Sequence, residues 1–187
     1  MAQKLVRYID KIEFKKLLAA EKDKRYKLMY VLGFGSGLRI SEVIGYKGKS
    51  RKKNKAGEII EADVIIPKLT QDKIDLDKHS IRILGKRGKE RITMTSPWMN
   101  KTNIKLLPID ISRRTVQGRI SRLGERVLGR KITFHTLRHG WANHLLNVRK
   151  MSVAQVQMLG GWSRMDTLGI YAKANPTDAI NEAFEVF

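Results

Sequence analysis

The chain has 187 residues, a length that fits one large domain with a single hydrophobic core. With 42% hydrophobic and 30% charged residues, its composition excludes a disordered or fibrous protein. The absence of cysteine excludes a disulfide framework, thiolate catalysis and a Cys-based zinc site. No run reaches the roughly 18 apolar residues of a membrane span and the first residues form no apolar signal core, so we expect a cytoplasmic protein with no membrane partner.

The charge of the chain is strongly unbalanced. Lys and Arg total 38 against 18 Asp and Glu, which gives a formal net charge of +20. A field of that sign attracts polyanions, so the composition predicts a nucleic-acid partner. A basic protein of the membrane surface and a merely solvated basic surface are the alternatives.

The first part of the chain shows helical periodicity. Asp10 and Glu13 have capping-box spacing ahead of an amphipathic segment, which predicts a helix over about 11–21. A second helix is predicted over about 23–34 and is apolar nearly all round, so it should be buried. The glycine-rich segment 33–37 follows a helical pattern and not a strand, which indicates a helix end and not a dinucleotide-binding loop.

Residues 47–58 are predicted to form a basic loop that can lie along DNA phosphates, because the segment is rich in cations and almost free of apolar residues. Its candidate DNA-binding residues are Lys47, Lys49, Arg51, Lys52, Lys53 and Lys55. A flexible surface segment that binds nothing is the alternative.

The later segments predict a small sheet followed by helices. Three β-branched, apolar stretches predict antiparallel strands with a basic turn between the last two, at 64–69, 79–84 and 91–95. A helix with one apolar and one cationic face is predicted over 113–131. Four more helices are predicted at about 135–147, 152–159, 164–172 and 176–186. The predicted fold class is mainly α with a small three-stranded antiparallel sheet, that is, α+β.

His135 and Arg138 lie three residues apart at the start of a predicted helix, where free backbone N–H groups also face outward. This arrangement predicts an anion site. His139 and His144 suggest a metal, but His135 and His139 lack the intervening Glu of a zinc-binding helix, so no metal is predicted.

Five motifs follow one another along the chain. They are Gly37-Leu38-Arg39-Ile40-Ser41-Glu42, Gly85-Lys86-Arg87-Gly88-Lys89-Glu90-Arg91, His135-Thr136-Leu137-Arg138-His139, Leu159-Gly160-Gly161-Trp162 and, nine residues after Trp162, Tyr171. In this order they resemble the catalytic domain of tyrosine recombinases, the Xer and phage-integrase family. The resemblance extends from about Asp10 to Ala174 and implies the fold of that catalytic domain.

The resemblance also implies an activity and a set of site residues. The family cleaves and rejoins DNA through a 3′-phosphotyrosine intermediate, with neither metal nor cofactor, in site-specific recombination or integration. The positions that match its catalytic residues are Arg39, Lys86, His135, Arg138, Trp162 and Tyr171. Glu42 and His139 match supporting positions, while Arg87 and Lys89 in the basic turn are candidate DNA contacts that compete with Lys86 for its role.

Phosphodiester cleavage explains why these residue types converge. Two guanidiniums, Arg39 and Arg138, can bind the non-bridging oxygens and remain charged at any working pH. His135 can assist Tyr171 in losing its proton, and Lys86 can protonate the leaving 5′-oxygen. Trp162 can donate its indole N–H to a phosphate oxygen and exclude water.

Each assignment has a structural alternative. Tyr171 can be a half-buried core residue, Trp162 can simply pack, and Arg39 can pair with Glu42 at helical spacing. For the chain as a whole, the alternatives to a recombinase are a type IB topoisomerase-like enzyme that nicks and reseals DNA and a non-catalytic DNA-binding module.

The domain organisation expected is a single catalytic domain over 1–187. No segment ahead of Asp10 is long enough for the core-binding domain that the family places before the catalytic one, so we expect that domain to be absent from this chain. Residues 176–187 predict a C-terminal helix with an apolar stripe. That helix either docks on a neighbouring protomer, as in a tetramer on DNA, or folds back on its own domain.

Overall fold

The computed structural model describes residues 8–53, 57–85 and 88–162. Within these ranges, the helices are α1 Lys11–Ala20, α2 Lys24–Gly35, α3 Ile40–Ile44, α4 Lys101–Ile104, α5 Arg113–Leu128, α6 Phe134–Asn143 and α7 Val153–Gly160. The strands are β1 Tyr46–Lys53, β2 Ile59–Ile66, β3 Ile74–Asp75, β4 Ser80–Leu84 and β5 Glu90–Met94. A 3₁₀ turn, Gln71–Lys73, precedes β3, and a π-helical turn, His144–Val148, continues α6. The α+β fold class predicted from the sequence is confirmed.

The predicted start of α1 is confirmed in atomic detail. Asp10 is its N-cap: the Glu13 backbone N–H donates to Asp10 Oδ1 at 2.7 Å, and Glu13 Oε2 accepts from the Asp10 N–H at 3.3 Å. This reciprocal pair satisfies two of the N–H groups that a helix start leaves without intrahelical partners. Phe14 and Leu17, one turn further along, point into the core and are fully buried.

Helix α2 is the central element of the core. Residues 28–35 are all buried, as the apolar sequence predicts. The helix packs closely on α6, because a Cβ at Gly33 would lie 3.1 Å from the Phe134 and Leu137 side chains. A Cβ at Gly140 of α6 would lie 2.8 Å from the Phe34 ring. The small residues thus let α2 hold α6, the helix of the predicted anion site, at close range.

Of the segment predicted as a basic loop over 47–58, residues 47–53 instead belong to strand β1, the first strand of a β-hairpin. Strand β1 pairs antiparallel with β2, in a register that sets Tyr46 opposite Ile66 and Lys53 opposite Ile59. Val64 and Ile66 of β2 are buried, so the hairpin is anchored at the end nearest α3. In β1, cations alternate with small residues from Lys47 to Arg51. A prediction from composition assigns such a segment to a loop, because it contains almost no apolar or β-branched residue.

The predicted three-stranded sheet exists with a different first strand. Its order is β3-β4-β5, all antiparallel. The β-branched stretch expected at 64–69 is a strand only to Ile66, and it pairs with β1 in a separate two-stranded sheet. The short β3 takes its place because it is the segment directly joined to β4 by a turn.

The remaining predicted elements end close to their expected positions. The helix predicted over 113–131 ends three residues earlier, at Leu128, and Gly129 caps α5 with a φ of 67°. Segment 135–147 becomes α6 and the π-helical turn, and α7 matches the prediction within one residue. The predicted helices at 164–172 and 176–186 lie outside the described residues. In the part of the chain that the structure describes, no helix is long and apolar enough to cross a bilayer.

Candidate active site

Helix α6 places Arg138 inside the protein. Thr133 caps the helix through its hydroxyl, which accepts the Thr136 N–H at 3.2 Å, so the motif begins in the first turn, as predicted. The Arg138 side chain is 1% exposed. Its guanidinium donates from Nη1 to the Gly37 carbonyl and from Nη2 to the Gly160 carbonyl at 2.6 Å. Arg138 therefore ties the loop after α2 to the end of α7.

Arg39 is the N-cap residue of α3 and is held by Glu42. The carboxylate of Glu42 accepts the Arg39 backbone N–H at 2.7 Å and the Arg39 Nη1 at 2.8 Å. The pairing that the sequence offered as an alternative to a functional role is thus present. It leaves the Arg39 side chain 39% exposed, with Nη2 donating to the Gly161 carbonyl at 3.0 Å. Glu42 fixes this arginine in place without removing it from the surface.

A third arginine, Arg91 on strand β5, joins the same cluster. Its Nη2 donates to Glu42 at 2.8 Å, and its Nη1 donates to the Leu159 carbonyl. The Arg91 side chain is 11% exposed. Sequence reasoning quoted this residue only as the end of a motif. The pairing of strands β4 and β5 indicates its inward position: Arg91 lies opposite the buried Ile83 and so belongs to the inward face of the sheet.

The end of α7 organises the three guanidiniums. The Gly161 and Trp162 N–H groups close the last turn on the carbonyls of Gln157 and Met158, through bonds of 2.8 to 3.2 Å. The next three carbonyls each accept from one arginine: Leu159 from Arg91, Gly160 from Arg138 and Gly161 from Arg39. A helix C-terminus leaves these carbonyls without intrahelical donors and has negative partial charge, so it is suited to cations.

Among the residues that the structure describes, Glu42 is the buried carboxylate that lies between these cations. Its side chain is 2% exposed. Burial raises its pKa, but the charges of Arg91 and Arg39 outweigh burial and keep the pKa of Glu42 below its usual value. Two guanidiniums therefore pair with one carboxylate while the third, Arg138, lies near enough to act on it through its charge, so the cluster has a net positive charge that can attract an anion.

Trp162 covers the buried arginine. The Arg138 Cζ lies 3.9 Å from the centroid of the Trp162 ring, in a cation–π contact. The ring also stacks on Trp141, with centroids 6.0 Å apart and planes 17° from parallel. The predicted indole contact with a phosphate stays a prediction, because in this arrangement Trp162 packs on the arginine.

His135 and His139 pack edge to face on α6, with ring centroids 4.0 Å apart. Partial burial, followed by the charges of Arg138 and Arg39, lowers the pKa of His135. Burial, His135 and Arg138 lower the pKa of His139 to about 4. Near pH 7 both imidazoles are therefore neutral, the form that can accept a proton.

The cluster opens into a cleft of about 1160 Å³, which is lined by Arg39, Glu42, Lys89, Arg91, Gly161 and Trp162 among others. Among the described residues, no three His, Asp or Glu side chains are grouped so as to hold a metal ion. The site the structure describes is thus an arginine cluster that opens into a cleft, with two neutral histidines near Arg138.

The sequence-predicted residues divide into three groups. The structure brings together Arg39, Glu42, His135, Arg138, His139 and Trp162. Lys47, Lys49 and Arg51 lie on the hairpin, whose strand β1 also contains the backbone of Lys52 and Lys53, and Lys89 is exposed at the cleft. Outside the described residues lie Lys55, Lys86, Arg87 and Tyr171.

The chain is similar in sequence to proteins of a known family. Residues 66–178 match the model of the phage integrase family. The chain is 28% identical over 178 residues to tyrosine recombinase XerA from Pyrococcus horikoshii, covering 92% of this chain and 58% of that protein. The chain thus spans little more than half the length of that relative.

Two solved structures share the fold. The crystal structure of XerA recombinase matches with a TM-score of 0.65 at 20% identity, over 99% of this chain and 64% of that one. XerH site-specific recombinase, bound to its difH substrate in a pre-cleavage complex, matches with a TM-score of 0.65 at 19% identity, over 98% of this chain and 55% of that one.

The neutral histidines predict an acid-sensitive fold. The pKa of His139 is about 4 in the folded protein and near 6.5 when unfolded, so the unfolded state binds more protons between these values. Stability should therefore fall as the pH is lowered from 7 to 5, by about 1–2 kcal/mol from this residue. Urea unfolding at both pH values measures the loss. His139→Gln should show a smaller loss, and an equal loss in the variant would contradict the assignment.

Proposed function

Because the chain belongs to the phage integrase family, we propose that it cleaves and rejoins DNA by transesterification, as a site-specific recombinase or integrase. The observation that supports this function most directly is the arginine cluster, in which Arg39 and Arg91 bind the carboxylate of Glu42 and Arg138 is held beside them by the Gly160 carbonyl. Its surplus positive charge suits the charge that develops on phosphate oxygens in the transition state.

The reaction proposed uses Tyr171 as nucleophile. Its oxygen attacks the phosphorus, the bond from phosphorus to the 5′-oxygen breaks, and a 3′-phosphotyrosine forms. His135 accepts the tyrosine proton, because its ring is neutral near pH 7 and has a nitrogen free of a proton. Lys86 protonates the leaving 5′-oxygen. Attack of a 5′-hydroxyl on the phosphotyrosine then rejoins a strand and frees Tyr171.

Access to Arg138 requires a movement of Trp162. The arginine is 1% exposed, and the Trp162 ring lies on its guanidinium. We propose that an entering phosphate displaces this ring and takes its place against Arg138. Trp162 then lines the phosphate, where its indole N–H can donate as the sequence predicted.

The partner proposed is double-stranded DNA, with the protein located on DNA in the cytoplasm. The hairpin supplies part of the basic surface through Lys47, Lys49 and Arg51. The positive charge of Lys49 and Arg51 is partly neutralised, because both side chains pair with Glu61, at 3.4 Å and 2.6 Å. Lys52, Lys53, Lys55, Arg87 and Lys89 are further proposed DNA contacts.

The test of the proposed function is capture of the covalent intermediate. We expect the 187-residue chain to form a denaturation-resistant adduct with a pool of nicked duplexes of varied sequence. Tyr171→Phe should abolish the adduct and leave DNA affinity within about threefold, because it removes one oxygen and little binding surface. An adduct formed by the Phe variant would refute the assignment of Tyr171. Resealing without exchange between duplexes would indicate a topoisomerase-like enzyme instead.

Freeing the hairpin cations should strengthen DNA binding. We expect Glu61→Gln to raise affinity several-fold in low salt and to steepen the dependence of affinity on salt, because it releases Lys49 and Arg51 to phosphates. Asp77→Asn is the matched control, since it removes the same charge from an exposed turn between β3 and β4. Fluorescence anisotropy over a salt series measures both. Equal effects of the two variants would show that the hairpin does not contact DNA.

Oligomerisation through the C-terminal segment is a further part of the proposal. The stripe of Ile180, Ala183, Phe184 and Phe187 suits docking on a neighbouring protomer, in a tetramer on DNA. Truncation after Ala174 should then preserve adduct formation and cooperative melting while abolishing higher-order complexes on DNA, as measured by light scattering. Loss of cooperative melting would instead place the segment in its own domain's core.

A further inference from the structure

Arg91 occupies a position between the two supports of the proposed phosphate-binding arginines. On one side it donates to Glu42, the residue that holds both the backbone N–H and the Nη1 of Arg39. On the other side it donates to the Leu159 carbonyl, which directly precedes the acceptors of Arg138 and Arg39. With its side chain 11% exposed, Arg91 itself is poorly placed to touch DNA.

The charge of Arg91 matters to Arg39. Glu42 is buried, and it is balanced by two cations, one on α3 and one on β5. Without Arg91, the whole carboxylate charge would act on Arg39 and hold it toward Glu42 instead of toward a phosphate. Because Arg91 takes part of the carboxylate charge, Arg39 stays oriented by Glu42 while much of the positive charge of Arg39 remains available to a ligand.

The space around Arg91 fits the stem and the guanidinium of an arginine. Gly161 has a φ of +65°, and a Cβ there would lie 2.5 Å from the Arg91 Cδ. The arginine stem therefore fills the space against the turn after α7. Its guanidinium makes two bonds in different directions, one to a carboxylate and one to a carbonyl, which a single ammonium group cannot reproduce with the same geometry.

We propose that Arg91 is a positioning residue for strand cleavage: it sets Arg39 through Glu42 and sets both Arg39 and Arg138 through the end of α7. This inference rests on the proposed function. Arg91 acts on the transition state through these groups and does not touch the substrate. Its loss should therefore slow cleavage more than it weakens DNA binding, to which the wider basic surface contributes.

The test is single-turnover cleavage at saturating DNA, with the duplex recovered from the covalent adduct of the wild-type chain. Arg91→Met keeps the bulk of the stem and removes the charge, and we expect at least a tenfold slower rate with a Kd for DNA within threefold. Arg91→Lys should recover part of the rate, because it restores the charge beside Glu42 but only one of the two bonds. In a Glu42→Gln background, Arg91→Met should have less than a threefold further effect, since its main route of action is gone.

Arg119→Met is the matched control. Arg119 also binds a buried glutamate, Glu21, through two bonds of 2.5 and 2.9 Å, and neither residue lines the cleft. Its loss should lower the melting temperature and leave the cleavage rate of the folded protein unchanged. A comparable rate loss in both variants would overturn the proposal, because it would reduce the effect of Arg91 to general stability.

The remaining outcomes are also decisive. A wild-type rate in Arg91→Met, or an undiminished effect of that change beside Glu42→Gln, would refute positioning through Glu42 while leaving the proposed function intact. Loss of cooperative melting in both Arg91→Met and Arg91→Lys would make Arg91 a residue of the core. Absence of an adduct from the wild-type chain would remove the proposed function and this inference together.

Discussion

The site depends on how one short helix ends. Where α7 stops, at Gly161, the carbonyls of Leu159, Gly160 and Gly161 have no donors of their own helix, and each accepts a bond from an arginine. The three arginines come from different elements, namely the N-cap of α3, strand β5 and helix α6. The unsatisfied end of a helix thus brings together side chains that the chain separates by up to 99 positions, from Arg39 to Arg138.

Like charges can be gathered in this way only if something offsets their repulsion. Carbonyl dipoles do so in part, and Glu42 supplies one full negative charge that two of the guanidiniums share. A second buried carboxylate would lower the net charge of the cluster from +2 to +1 and weaken its attraction for an anion, while none would leave Arg39 with only its bond to the Gly161 carbonyl. The balance of three cations to one anion keeps the arginine cluster stable and preorganised while leaving it a net positive charge.

Local sequence signals predicted the parts of this fold that local physics determines. The Asp10 and Glu13 cap and the start of α6 follow from residue spacing within one turn of helix, and the burial of α2 follows from a segment that is apolar on nearly every face. The hairpin was predicted wrongly because β1 has no apolar face that would mark it as a strand. Only its pairing with β2 identifies it as one. The role of Arg91 depends on contacts with Glu42 and Leu159, 49 and 68 positions away, which no local pattern encodes.

The cluster is preformed, but its buried arginine, Arg138, is not yet open to a ligand. Arg138 donates to two backbone carbonyls and is covered by Trp162, so it is both ordered and shielded. Shielding keeps a buried cation from water, and the face of an indole is a weaker partner for a guanidinium than a bidentate phosphate is. The proposed exchange of Trp162 for a phosphate would replace a weak contact with a strong one while the two carbonyl bonds of Arg138 persist. Under the proposed function, the free energy that moves Trp162 comes from the substrate itself, and the arginine needs no rearrangement to receive it.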